Sequence, residues 1–295
     1  MLDAKRPDEA LAAFKECIEL EPNNLNHQIE YGVALYKLGH LDECLSVLDA
    51  ILAKEPNHIL ALNNKARILI DRDKPTEALA LYRQILNTDP KHTRTWIKAA
   101  QLMASLQRFD KADGCIQEAL AVTPDDPELW RERAIIARNA KKLEDALQYI
   151  DNALDKKSND FSSKTERANI LAALGKFNDA IDAYKLALHI KSDDHDVKVS
   201  LGFAYLAVNN PKDALDAFEA VMKEPTQKNN PKVWDGRGLA FIAIGETARG
   251  LVNRGTAAMI EKRFEDASKL FDAAIEANPK FPEAWSNKGV LLEKQ

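Results

Sequence analysis

The chain carries three cysteines in 295 residues, Cys17, Cys44 and Cys115, with no C-x-x-C pair. That scarcity argues against a disulfide-stapled domain and against the usual zinc frameworks. No apolar run reaches the 18 residues that would signal a membrane-spanning helix. There is no excess of positive charge either: 41 Lys and Arg stand against 46 Asp and Glu, a formal net charge of −5. Nucleic-acid binders draw most of their affinity from clustered cations, so nucleic acid is not an expected partner. With 11 glycines and 12 prolines the chain is neither collagen-like nor of low complexity. No G-x-S-x-G elbow, G-x-x-x-x-G-K-[ST] phosphate loop or H-E-x-x-H helix occurs. The six histidines are scattered over turns and helix ends. The expectation is a non-enzyme with no cofactor and no metal. The opening Met1 to Glu9 is charged and lacks the apolar stretch of a secretory leader, so a cytoplasmic location is expected.

What the chain does contain is a period. A small residue recurs every 34 positions at Cys44, Ala78, Ala112, Ala146, Ala180 and Ala214. Each is preceded twelve residues earlier by another, at Gly32, Ala66, Ala100, Ala134, Ala168 and Gly202. Between the members of a pair lie breaks such as Gly39-His40, Gly175-Lys176 and Asn209-Asn210-Pro211, where Gly, Pro and Asn interrupt two helical patterns. Each unit therefore reads as helix, turn, helix, with the small pair at a close crossing. Leu48, Tyr82, Ile116, Ile150, Tyr184 and Phe218 follow the second small residue by one helical turn on the same face. They are expected to fill the space between units. Proline closes several units, at Pro22, Pro56, Pro90, Pro124 and Pro279. A fixed period of this length marks stacked units that cannot bury their apolar faces alone.

Trp96, Trp130, Trp234 and Trp285 each sit three residues into a unit, and Ala267, Phe271, Ala274, Pro279, Trp285 and Gly289 fall at matching offsets. On these residues the chain resembles the tetratricopeptide repeat family, whose signature is a 34-residue helix-turn-helix unit with Trp, Leu-Gly, Tyr, Ala, Phe and Pro at fixed positions. The resemblance implies an all-α, right-handed superhelical solenoid of about eight units. It also implies a binding role, because the fold hosts many unrelated interactions.

Two irregularities interrupt the pattern. The chain opens on a second helix, Asp8 to Leu20, and closes on a first helix, Pro282 to Gln295. Either the array is cut from a longer one, or its ends pack on something. Between Lys223 and Ala267, the polar stretch Glu224 to Pro231 is about two residues longer than its counterparts. Landmarks Leu251, Gly255 and Ala258 then recur after only half a unit. Glu246 to Arg263 must serve as an unusual second helix with Gly250 at its crossing, or leave a break. The organisation read from the sequence is a regular array over 1–223, a loop and half-repeat seam over 224–263, and closing elements over 264–295.

Function in the resembled family is expected on the concave face, lined by the first helix of each unit. Helical phase assigns Asn63, Asn64, Arg67, Arg94, Lys98, Gln101, Arg131, Arg138 and Asn169 to that groove. Five of these nine are basic in an acidic protein, which suits an acidic peptide or protein segment. A full set of chaperone-tail clamp residues is absent. Beyond Asp196 the same phase selects Val199, Phe203, Leu206, Leu239, Ile242, Val252 and Met259. These form an apolar contact strip for a helix or a second copy of the chain, or are buried by closure of the array. The leading expectation is a non-catalytic scaffold for protein–protein interaction. Its alternatives are a recruiting arm of a larger enzyme or complex, and a self-associating element.

Overall fold

The computed structural model describes residues 7–294, which form seventeen α-helices and one short 3-10 turn, with no strand among the described residues. The chain divides between Ala140 and Lys141 into two compact units. The first holds α1 (Pro7–Leu20), the pairs α2 (Leu25–Lys37) with α3 (Leu41–Lys54), α4 (Ile59–Asp71) with α5 (Pro75–Thr88) and α6 (Thr93–Ser105) with α7 (Phe109–Val122), and then α8 (Pro127–Asn139). The second holds α9 (Leu143–Lys156), the pairs α10 (Phe161–Ala173) with α11 (Phe177–Ile190) and α12 (His195–Ala207) with α13 (Pro211–Met222). It closes with α14 (Pro231–Ala243), α15 (Thr247–Ile260), α16 (Phe264–Ala277) and α17 (Pro282–Lys294).

The small-residue pairs lie where two helix backbones approach. Ala66, Ala78, Ala100 and Ala112 in the first unit, and Ala168, Ala180 and Ala214 in the second, have no exposed surface. The Cys44 thiol donates to the Gly32 carbonyl oxygen across one such crossing, at 3.0 Å. Burial pushes this thiol up to about 11, so it is a small apolar filler. Leu48, Ile116, Ile150 and Phe218 are likewise fully buried, as their place one turn further along the face requires.

Two kinds of connection alternate. Within a pair the turn has three residues and its middle one is left-handed: Gly39, Asp73, Gln107, Lys141, Gly175 and Asn209 recur at 34-residue spacing with φ between 56° and 82°. At the first of these, Gly39 N–H bonds to Tyr36 O and His40 N–H to Leu35 O, a Schellman closure that satisfies the last carbonyls of α2. Between pairs, the incoming first helix is capped by a side chain at the same spacing: Asn24, His58, His92, Asp126, Asp160 and Asp194 each accept from a backbone N–H of the first turn. The tryptophans tie these turns down. The indole N–H groups of Trp96, Trp130, Trp234 and Trp285 each donate to the carbonyl six residues earlier, at 2.7 to 3.0 Å.

The irregular segment resolves into one shared helix. The connection from α13 to α14 is longer and includes the 3-10 turn Pro225–Gln227, and the next left-handed residue, Gly245, comes 36 positions after Asn209. The following one, Lys262, comes only 17 later. Helix α15 is therefore entered and left by the within-pair type of turn. It crosses α14 at Gly238 and Gly250, so closely that a Cβ on Gly250 would lie 2.5 Å from the Gly238 carbonyl oxygen. It crosses α16 at Gly255, where the ring of Phe271 fills the space a side chain would occupy. α15 thus acts as second helix to α14 and as first helix to α16, leaving the stack unbroken.

Candidate functional site

The first-helix face of the first unit collects most of the groove residues selected by phase. Asn63 anchors itself by donating to Ile59 O at 3.0 Å, and its amide oxygen accepts from Lys98 Nζ at 3.0 Å, linking α4 to α6. The Arg67 guanidinium lies over the ring of Tyr36, 4.1 Å from its centre, and the Tyr36 hydroxyl donates to Asp71 at 2.5 Å. Asn64 borders the same contact. Gln101 donates to the buried carboxylate of Glu132 at 3.0 Å, linking α6 to α8. Arg131 and Arg138 lie half-buried on α8.

Three cations of α4 and α6 stand without an ion pair. Arg67, Arg94 and Lys98 form no ion pair with any described residue, whereas cations such as Lys65, Arg133 and Arg167 each pair with an aspartate. The Lys98 ammonium is held below the usual lysine range, first by burial and then by the nearby charges of Arg94 and Arg67. The acid Asp71 acts differently on this face: its bond to the Tyr36 hydroxyl raises that phenol. Tyr36 escapes the sequence reading although it occupies the same helical phase as the nine. Extending the phase back to α2 would reach it.

Asn169 belongs to the second unit, where its amide oxygen accepts from the Tyr184 hydroxyl at 2.8 Å and its nitrogen donates to the buried Glu166. In the apolar strip, Val199 and Val252 are core residues. Phe203 packs edge-to-face on Phe218 with ring centres 5.2 Å apart, and Leu206 joins the same cluster. Ile242 packs against Gly250 at the α14–α15 crossing, and Leu239 is half-buried. Much of this strip is spent on packing within the unit. No cluster of metal-ligating side chains occurs among the described residues. No helix there is long and apolar enough to cross a membrane.

Comparison with known proteins fits this geometry. A tetratricopeptide repeat profile matches residues 1–68 and 69–136, and a second one of the same description matches 252–295, together more than half of the chain. No curated protein sequence matches. Among solved structures, a tetratricopeptide repeat protein from Parabacteroides merdae is similar at 19% identity and a TM-score of 0.57, over 91% of this chain and 98% of that one. A chain of the APC/C hetero-tetramer Cut9-Hcn1 is similar at 16% identity and a TM-score of 0.56, over 97% of this chain but only 53% of its own length. PilF of Pseudomonas aeruginosa is similar at 18% identity and a TM-score of 0.52, over 74% and 93% respectively. At such identities the likeness concerns fold alone. By its period, its crossings and these matches, the chain belongs to the tetratricopeptide repeat family.

Proposed function

We propose that this array is a non-catalytic scaffold that holds an acidic segment of a partner protein along α4 and α6. Tetratricopeptide arrays serve generally as protein–protein interaction scaffolds, and what this chain adds is the charge on one face. The observation that carries the reading is the group Arg67, Arg94 and Lys98, three cations without a carboxylate partner. Partner carboxylates would meet these three, offsetting the burial and, after it, the mutual repulsion that lower Lys98. Asn64 would bond the partner backbone. Arg131 on α8 extends the same positive face, and Asn63 sets Lys98 in place from below.

A fluorescein-labelled peptide rich in Glu, and its Gln counterpart of equal length, test this by anisotropy. The Glu peptide is expected to bind the parent chain, more weakly as salt rises. Reversing Arg67, Arg94 and Lys98 to Glu, with folding checked by circular dichroism, is expected to weaken binding at least about tenfold. Equal binding of the Gln peptide, or no effect of the reversal, would exclude the acidic-segment reading.

A further inference from the structure

Across most junctions between successive repeats, a cation on the incoming first helix reaches back to a carboxylate on the preceding second helix. Lys65 of α4 bonds Asp49 of α3 at 2.6 Å. Arg133 of α8 bonds Asp113 of α7 at 2.8 Å, and Arg167 of α10 bonds Asp151 of α9 at 2.7 Å. Arg237 reaches Glu219 at 3.6 Å, and Lys288 bonds Asp272. These straps lie over the seam between repeats and close it.

The junction of α5 and α6 lacks its strap, as does that of α11 and α12, where Lys185 and Leu201 stand in the two registers. Lys65, Arg133 and Arg167 share one register, and the residue in that register on α6 is Ala99. Asp49 and Asp151 share another, and the residue there on α5 is Arg83. A methyl group faces a guanidinium where an ion pair closes the neighbouring seams. Here the surface opens into a cavity of about 740 Å³ between α5 and α7, floored by α6. Leu79, Trp96, Met103 and Cys115 give it an apolar lining, and burial, with Glu118 nearby, pushes the Cys115 thiol up to about 12, so it stays a protonated, apolar group. Gly114 adds room, since a Cβ placed there would meet nothing within 4 Å. The lining's charged residues are Arg83 and Lys111, neither ion-paired among the described residues, and the one carboxylate Glu118. By the turn of about 100° per residue, Trp96, Ala99 and Met103 leave α6 on the side away from Arg94, Lys98 and Gln101.

We infer that this unstrapped seam is a second docking site, for a partner-protein segment that inserts one bulky apolar side chain between α5 and α7 and pairs flanking carboxylates with Arg83 and Lys111. The cavity falls in the size range of ligand pockets, with ample room for one bulky side chain, and its net-positive rim selects acidic flanks. The partner carboxylate would stand in for the aspartate that the neighbouring repeats supply from within.

The test uses the full chain and a labelled probe peptide with a central Phe-Leu flanked by Glu, against the same peptide flanked by Lys. Two variants close the site independently. Arg83→Asp with Ala99→Lys installs the strap of the neighbouring repeats, and Gly114→Leu fills the cavity at a position with free space. Binding of the Glu-flanked probe is expected to persist in the Arg67, Arg94 and Lys98 reversal, to fall at least tenfold when either closing variant is added to that reversal, and to be weak for the Lys-flanked probe. Unchanged binding in both closing variants, or equal affinity for the two probes, would overturn the inference. Loss in the α4–α6 reversal alone would place the probe at the first site and likewise overturn this one. A concentration-dependent dimer in sedimentation that Gly114→Leu abolishes would make the occupant a second copy, contradicting the partner-segment assignment.

Discussion

The crossing of α14 and α15 makes Gly250→Ala a sharp test of how closely helices meet in the shared-helix segment. In an exposed helix the change should stabilise by about 1 kcal/mol, the usual advantage of alanine over glycine. Here the added Cβ would sit 2.5 Å from the Gly238 carbonyl oxygen, 2.5 Å from Ile242 Cγ1 and 3.0 Å from the Ile242 nitrogen. Ile242 Cγ1 can turn aside, but the two backbone atoms cannot move without separating the helices. Overpacking of a tight core costs about 1 to 3 kcal/mol, and strain against backbone belongs at the upper end. The net expectation is destabilisation by about 1 to 2 kcal/mol. For a cooperative unit of this size that corresponds to a fall in Tm of roughly 2 to 8 °C. Scanning calorimetry of parent and variant measures it, with helicity followed in parallel. A variant melting at or above the parent would refute the close approach, and with it the reading of α15 as second helix to α14.

Three further expectations follow from the same geometry. Gly114→Ala, in open space on α7, should gain about 0.5 to 1 kcal/mol by the propensity that Gly250→Ala cannot realise, measured by chemical denaturation. Gln107 holds a φ of 58° in the α6–α7 turn, where Gly39, Gly175 and Gly245 hold the same place in theirs, so Gln107→Gly should raise the unfolding free energy from chemical denaturation by about 1 kcal/mol; an unchanged value would mean the left-handed residue carries no strain. In a side-chain NMR titration, Lys98 should lose its proton below the usual lysine range, and Arg94→Met should move it partway back up, because burial acts first and the Arg94 charge second. The sign for binding is fixed by this shift. Acidic-segment affinity at this site should fall as pH rises through the lowered Lys98 value, ahead of an ordinary lysine.

Much of the fold is written in small residues and turns. Pairs such as Ala66 with Ala78 give the crossings because only small side chains allow backbones so close, and no partner knowledge is needed to see them. The seam is harder because α15 carries two small positions, Gly250 and Gly255, that answer to opposite neighbours. Read in one phase each, they look like competing registers, and only the left-handed Lys262 after Gly245 shows that both hold at once. The capping histidines are hidden for another reason. His58 and His92 offer Nδ1 as acceptor where Asn24, Asp126 and Asp160 offer a side-chain oxygen, so residue type misleads while register does not.

For the candidate site, helical phase gives direction but not partnership. It places Arg67, Arg94 and Lys98 together, yet nothing in the sequence shows that Arg67 rests on Tyr36 or that Lys98 is positioned by Asn63. The open seam at Arg83 and Ala99 is less legible still. Both residues suit a helix surface, and their meaning emerges only once the Lys65–Asp49 strap reveals what the junction lacks.

The most direct measurement of the central claim is a hydrogen-exchange footprint of the full chain with and without the Glu-rich peptide at saturating concentration. Slowed exchange is expected over residues 59–71 and 93–105, the first helices that carry Arg67, Arg94 and Lys98, with loss of that protection in the triple charge reversal. Protection elsewhere with these two helices unchanged would contradict it.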